Sequence, residues 1–209
     1  MKLIAEGYYH KVYASGDGRV LKKLQPHWYS LMQVYRVVRK REGDSVARAL
    51  KKAYKYVSDE VGKLREMRVR IVRMDSWIFA NPEFIKDSLD YFQDKVTTLE
   101  EYLAAHSTEE NKRVVDSYLK LQKTFWSYGV HDAVYKFQPN YGVDMEGRVV
   151  CIDIGEFVFT KQEALASIAK KNWLSRPSYA KWPEGELKRY YTQRMEEEMT
   201  EAILLNFWK

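Results

Sequence analysis

The sequence predicts an α+β protein, on three observations. The first 24 residues alternate apolar and polar side chains around a tight-turn signal, Ser15-Gly16-Asp17-Gly18, as paired strands do. Long stretches after Tyr29 place apolar residues three and four apart, the spacing of helices with one buried face. A single apolar run rich in β-branched residues, Val149 to Ile152, is set among those helices rather than with the early strands. Strands first and helices later, with one hairpin among the helices, fit two small lobes better than a layered βαβ sheet.

Residues 3 to 24 read as two or three strands, with the turn centred on Asp17 placing Lys22 opposite Val12. From Tyr29 to Met67 the pattern is helical and broken near Arg41-Glu42-Gly43-Asp44, with Val46, Leu50, Tyr54, Val57, Val61 and Leu64 as the apolar stripe of the second helix. Residues 69 to 80 and 88 to 96 read as further strands. Thr98 with Glu101, Ser107 with Glu110 and Thr160 with Glu163 have the spacing of helix N-terminal caps. Val114, Tyr118, Leu121 and Phe125 form the stripe of the helix after Ser107, and Gly129 is its natural stop. One last amphipathic helix is expected from about Glu184 to Phe207. The lobes are expected at 1–96 and 97–209, joined near Gln93 to Val96.

At 209 residues the chain is long enough to bury a real core. The single cysteine, Cys151, excludes an intramolecular disulfide framework and a Cys/His zinc cluster. No stretch approaches the run of 18 or so apolar residues that a membrane span needs, and the opening apolar run is too short for a signal peptide. A cytoplasmic protein is therefore expected. The net charge of +6 is uneven: between Arg36 and Arg73 thirteen Lys/Arg face five acids. Such a block suits an anionic partner, and equally a solvated helix face. The aromatic-rich stretches 126–128 and 172–182 read as packing rather than base-stacking platforms.

Chemistry is suggested by residues 140 to 157, Asn-Tyr-Gly-Val-Asp-Met-Glu-Gly-Arg-Val-Val-Cys-Ile-Asp-Ile-Gly-Glu-Phe. A hairpin turning at Met145-Glu146-Gly147 brings Asn140 and Asp153 side by side at its open end. An amide carbonyl and a carboxylate on rigid strands are hard oxygen ligands, suited to Mg²⁺ that keeps its other positions for water and phosphate. An Asp at a strand end serves as well as a turn or cap residue. Gly155 would let the backbone leave the strand at an angle that a side chain resists. At the N-terminus, Gly7 lies in the bend before a strand that neighbours the Lys22 strand, an arrangement that admits phosphates near backbone. From the residues alone, Lys22 reads first as one of two adjacent surface lysines on an exposed strand.

In the order and spacing of these parts the chain resembles the protein kinase-like superfamily, over about residues 3 to 157. Residues 5 to 24 are similar to its glycine-rich loop and third strand, with Ala5, Gly7 and His10 at the glycine positions, then Val12 and the phosphate-binding Lys22. Residues 59 to 74 resemble the helix whose glutamate orients that lysine, which would be Glu60, with Asp59 and Glu66 as competitors. Residues 90 to 103 resemble the connection between lobes. Residues 128 to 156 resemble the catalytic loop and metal-binding turn, the most specific part of the match. The resemblance implies a two-lobed fold with ATP and Mg²⁺ in the cleft, Lys22 on the α and β phosphates, and Asn140 and Asp153 on the metal. It gives Asp132 as proton acceptor and Lys136 as the charge beside the transferred phosphate. It departs in three places. Only the middle glycine is kept, Asp132 stands eight residues before Asn140 instead of five, and no Ala-Pro-Glu motif follows Gly155.

The expected function is ATP- and Mg²⁺-dependent phosphoryl transfer to a small-molecule or protein hydroxyl. The alternatives are a pseudokinase acting as an interaction module, and a nucleic-acid-binding protein using residues 36–73.

Overall fold

The computed structural model describes Met1–Lys209 and is α+β. The chain divides into two units, Met1–Arg73 with Asn81–Lys95, and Met74–Ala80 with Val96–Lys209. The single boundary expected after residue 96 is thus accompanied by a short excursion, 74–80, that packs with the second unit. No helix is long and apolar enough to cross a membrane.

In the first unit, β1 (Lys2–Glu6), β2 (His10–Ala14), β3 (Arg19–Leu24), β4 (Glu83–Phe84) and β5 (Tyr91–Asp94) form an antiparallel sheet in the order β1-β2-β3-β5-β4. The β2–β3 hairpin turns at Ser15–Gly18, where Asp17 Oδ1 accepts from the Arg19 amide (3.1 Å) and Gly18 takes a φ of 81°. A positive φ at that place is what the turn requires of a glycine. The register pairs Val12 with Lys22. Because successive strand side chains alternate in direction, Lys22 is buried while Lys23 is exposed.

Two helices complete this unit, α1 (His27–Glu42) and α2 (Val46–Ile71), separated by Gly43 in the left-handed conformation. The stripe expected for α2 holds at Val57, Val61 and Leu64 but is displaced in the first turns. Val46, Leu50 and Tyr54 are exposed, and the buried face is Ala49, Ala53, Val57, Glu60, Leu64, Met67 and Ile71. The alanines let α1 approach closely, and Val34 of α1 packs with Ala53 and Val57, flanked by Leu31, Tyr35 and Val38. Apolarity alone pointed to the larger side chains; close packing selected the small ones. The strand expected over 69–80 is also absent. Met67 and Ile71 continue the helical period to the end of α2, Val69 and Val72 face solvent, and Ser76–Phe79 forms a 3₁₀ turn.

The second unit is built on α4 (Thr108–Ser127), preceded by β6 (Thr97–Thr98) and α3 (Leu99–Ala105). Both helices carry full capping boxes: Thr98 with Glu101, and Ser107 with Glu110. In each, the hydroxyl satisfies a free amide of the first turn and the carboxylate returns to the cap amide. Gly129, with φ 65°, ends α4 one residue past its C-cap Tyr128.

Then follow β7 (His131–Asp132), α5 (Phe137–Asn140), β8 (Tyr141–Val143), β9 (Val149–Cys151) and β10 (Phe157–Val158). Strands β6, β8 and β9 form one small sheet in that order, and β7 pairs with β10 in another. Beyond these lie α6 (Lys161–Ala169), a 3₁₀ turn (Asn172–Ser175), α7 (Pro177–Lys181), α8 (Glu186–Glu198) and α9 (Glu201–Phe207). The single helix expected from 184 to 207 is two, because Thr200 starts a new one by accepting from the Ile203 amide.

Phe79, Phe125 and Phe157 pack together at ring separations of 5.3–6.0 Å. A second aromatic group joins Tyr118 to Phe137 and Tyr141, each 4.8 Å away. Trp126 and Trp173 are fully buried, so these aromatics serve packing, as expected.

One glycine is required for space rather than for φ. A Cβ on Gly142 in β8 would lie 2.5 Å from Val96 Cγ2 and 2.7 Å from the Thr97 carbonyl oxygen. Since the second neighbour is backbone, Gly142→Ala should lower unfolding stability by about 1–3 kcal/mol, measured by urea denaturation. An unchanged midpoint would contradict this packing.

Candidate functional site

The residues singled out by the sequence fall into two sets, each inside one unit. In the first unit, the β1–β2 bend is closed by the Gly7 amide donating to the His10 carbonyl (2.8 Å). The Gly7 carbonyl accepts from the Gln25 side chain, and the Tyr8 carbonyl accepts from Ser30 Oγ (2.8 Å). A Cβ on Gly7 would meet only the His10 oxygen, at an ordinary 3.5 Å. Val12 and Lys22 face each other across β2 and β3, and the Lys22 ammonium lies 5.8 Å from the centre of the Tyr91 ring.

Glu60 is buried on α2, where its Oε1 accepts from Lys63 (2.9 Å), one turn further on. Its Oε2 is buried with no hydrogen-bond partner. The carboxylate expected to orient Lys22 is therefore held here by a neighbour on its own helix, with half of its accepting capacity unused.

The second unit gathers Asp132, Lys136, Asn140 and Asp153. Hairpin register pairs Tyr141 with Cys151, and the Ile152 amide donates to the Asn140 carbonyl (2.8 Å). Asn140 thus stands opposite Ile152, and Asp153 lies one residue beyond. The turn is at the expected place, but the pairing is offset by one. Asp153 Oδ1 accepts from the Gly155 amide (3.1 Å), and the Asp153 carbonyl accepts from the Cys151 thiol (3.0 Å). The backbone angle that a side chain resists, expected at Gly155, belongs to its neighbour Glu156, with φ 65°. The bend therefore falls one residue later, at a side chain that is used.

That side chain receives Lys136 in an ion pair. The Glu156 carbonyl also accepts from the Ala133 amide (3.3 Å), continuing the β7–β10 pairing of Asp132 with Phe157. Lys136, expected beside a phosphate, is here neutralised by Glu156.

Asp132 is buried and accepts three hydrogen bonds. Oδ1 takes the amides of Val134 (2.9 Å) and Tyr135 (3.0 Å), and Oδ2 takes the Tyr141 hydroxyl (2.6 Å). Gln122 of α4 donates in turn to the Tyr141 oxygen (2.9 Å). Burial pushes the Asp132 carboxyl above its ordinary pKa, while these three donors pull it down. In this arrangement Asp132 braces the 132–141 segment. Burial beside Asp132 likewise raises the Tyr141 hydroxyl.

His131 is fully buried. Its Nδ1 accepts from Trp126 Nε1 (2.9 Å), which places the ring proton on Nε2, 3.3 Å from the Tyr135 hydroxyl. Burial lowers its pKa to about 3, so the native ring is a neutral packing element.

The sequence reading did not reach Tyr141, Gln122 or Glu156. The Asp132–Tyr141 and Lys136–Glu156 pairs have no local signal, being spaced by nine and twenty residues.

No family model matches the chain, and no curated protein matches it in sequence. Among solved structures it is similar to the Rv3197–erythromycin complex from Mycobacterium tuberculosis, at 14% identity and a TM-score of 0.49, over 95% of this chain and 59% of that one. It is also similar to WbdD, at 14% identity and a TM-score of 0.47, over 99% of this chain and 49% of that one. The chain spans only half to three-fifths of the length of these two proteins.

The neutral His131 sets a pH dependence. The unfolded imidazole takes a proton below about pH 6.5 and the native one does not until about pH 3. Stability should therefore fall as pH drops through that window, at a limiting slope of about 1.4 kcal/mol per pH unit. Asp132, whose native pKa is raised, acts with opposite sign, so the comparison must be made at His131. His131→Gln should flatten the pH 6 to pH 4 stability profile by up to one proton. An unchanged slope would mean that His131 is not buried neutral.

Proposed function

We propose that this protein is an ATP- and Mg²⁺-dependent phosphotransferase of the kinase-like kind, acting on a hydroxyl acceptor. The observation that carries the reading is the open end of the β8–β9 hairpin. There Asn140 and Asp153 leave adjacent ends of two hydrogen-bonded strands, and the Asp153 carboxylate is oriented by the Gly155 amide. Two hard oxygen donors held by rigid backbone suit a magnesium ion that takes its remaining ligands from phosphate and water. Magnesium, when bound, would neutralise phosphate charge and polarise the bond to be broken.

The remaining roles follow the chemistry of phosphoryl transfer. Lys22, on a central strand, holds the α and β phosphates, with Gly7 and Val12 at the nucleotide. Glu60 orients Lys22. Its buried, unpartnered Oε2 supports this role, because an unused acceptor at such a depth costs about 1–3 kcal/mol and is kept where it gains a partner. The acceptor oxygen forms a bond to the γ-phosphorus as the bond to ADP breaks, and the hydroxyl proton passes to Asp132. For Asp132 to receive it, the Tyr141 hydroxyl must give up its bond to Oδ2 or share it. Lys136 meets the developing phosphate charge by exchanging Glu156 for it.

Two observations favour a second reading, a nucleotide-binding module without transfer. Glu60 is held by Lys63, and both oxygens of Asp132 are occupied.

Thermal shift with ATP, with and without Mg²⁺, tests the first reading on the wild type and on Lys22→Ala and Asp153→Ala. A ligand at 100 times its Kd adds about 2.7 kcal/mol of stability. A Mg²⁺-dependent shift weakened in both variants is expected. No shift in the wild type would refute it. If the shift is present, radiolabelled ATP turnover by Asp132→Asn separates the two readings. Loss of turnover with retained binding supports transfer, and absent turnover in the wild type supports the module.

A further inference from the structure

The second unit holds a cation that its own residues leave under-used. The Ala133 carbonyl, one peptide from Asp132, accepts from three side chains: Asn172 Nδ2 (2.9 Å), Ser167 Oγ (3.2 Å) and Arg176 Nη2 (3.3 Å). A carbonyl oxygen has two lone pairs, so the third and longest bond is the weakest. Asn172 also donates to Ser167 Oγ (3.2 Å), so those two already satisfy the carbonyl without the arginine.

Arg176 therefore gains little from Ala133. Its Nε is buried and has no acceptor. Nearby cations are treated differently: Lys136, Lys171 and Lys188 each have a glutamate. Three residues before Arg176, in the 3₁₀ turn that Arg176 follows, Trp173 is 1% exposed and its indole Nε1 also lacks an acceptor. The Trp173 ring meets Tyr135 edge-on at 5.3 Å, and Tyr135 is two residues from Ala133. Two buried N–H donors without acceptors, one of them charged, in a four-residue stretch beside the Asp132 segment, call for an anion. Buried donors are otherwise satisfied in folded proteins. A guanidinium edge takes a planar or tetrahedral oxyanion through two parallel bonds.

We propose that Arg176, with Trp173, is an oxyanion-binding site that holds a carboxylate or phosphate group of the phosphoryl acceptor. This rests on the phosphotransfer reading for the identity of the ligand, though not for the existence of the site. The neighbouring surface carries only a shallow recess, with space for about one water, and neither Arg176 nor Trp173 lines it. This recess, between residues 135–138 and α7, is walled by Tyr135, Phe137, Tyr179 and Trp182, with Gln138 and Ser178 as its polar groups. Ser178 is two residues from Arg176.

The test reads Arg176 directly. The wild-type chain is labelled with phenylglyoxal, an arginine-selective dicarbonyl, in the presence of inorganic phosphate or of malonate, and the peptide holding Arg176 is quantified by mass spectrometry. Phosphate or malonate should protect Arg176 several-fold more than the exposed Arg48 or Arg65, and whichever protects better names the anion. Calorimetric titration of the same two anions into Arg176→Gln should show affinity weakened by about tenfold or more, with Arg176→Lys intermediate. Equal labelling with and without both anions would overturn the proposal, as would unchanged affinity in a folded Arg176→Gln. If that variant does not fold, the wild-type labelling alone decides. Protection of Arg176 in a chain that shows no ATP shift would keep the oxyanion site and remove the phosphotransfer reading. An ATP shift without protection would do the reverse.

Discussion

The buried carboxylate of Asp132 is the constraint on which the second unit depends. A charge removed from water must be met by hydrogen bonds, and the three donors that meet it come from different levels of the structure. The Val134 and Tyr135 amides fold the chain sharply back, with Tyr135 held at φ 48°. The Tyr141 hydroxyl ties in the start of β8, and Gln122 links that hydroxyl to α4. One carboxylate thereby fixes the segment carrying Lys136 and Asn140 against the longest helix of its unit. His131, beside it, does the same work with its neutral ring between Trp126 and Tyr135.

The candidate site hangs on that frame through very short strands. β7 and β10 are two residues each, yet their pairing lets Glu156 meet Ala133 through backbone and Lys136 through its side chain. Such short ladders do not stand alone. They hold because Phe157 of β10 packs its ring against Phe79 and Phe125. The positive φ of Glu156 is kept for the same reason. The pairing on one side and the Lys136 ion pair on the other compensate a backbone conformation that costs a non-glycine residue of order 1–3 kcal/mol.

In the first unit, the basic block of α1 and α2 is partly neutralised by its own acids. Arg48 and Lys52 reach Asp44, Lys52 also reaches Glu42, Lys63 reaches Glu60 and Arg70 reaches Glu66. The exposed pair Arg70–Glu66 adds little stability. Lys51 and Lys55 remain exposed one turn apart, so the outer face of α2 stays cationic while its inner face is apolar apart from Glu60.

Local chemistry determined much of this protein. Side-chain caps at Thr98, Ser107 and Thr160 started helices where their spacing with a glutamate said they would. The Asp17 turn set Val12 opposite Lys22, and Met145 to Gly147 turned the later hairpin. Each depends on residues within a few positions of one another, where the backbone's own hydrogen-bonding needs leave few choices. Tertiary structure decided the rest. Packing density chose Ala49 and Ala53 over Leu50 and Tyr54 as the buried face of α2, and replaced the strand expected over 69–80 with the end of α2 at Ile71 and a 3₁₀ turn at Ser76–Phe79. Pairing register moved the partner of Asn140 from Asp153 to Ile152. Asp132 found Tyr141, Lys136 found Glu156, and Arg176 was brought to Ala133, because burial assigns partners by proximity in space. No periodicity in the sequence encodes such proximity.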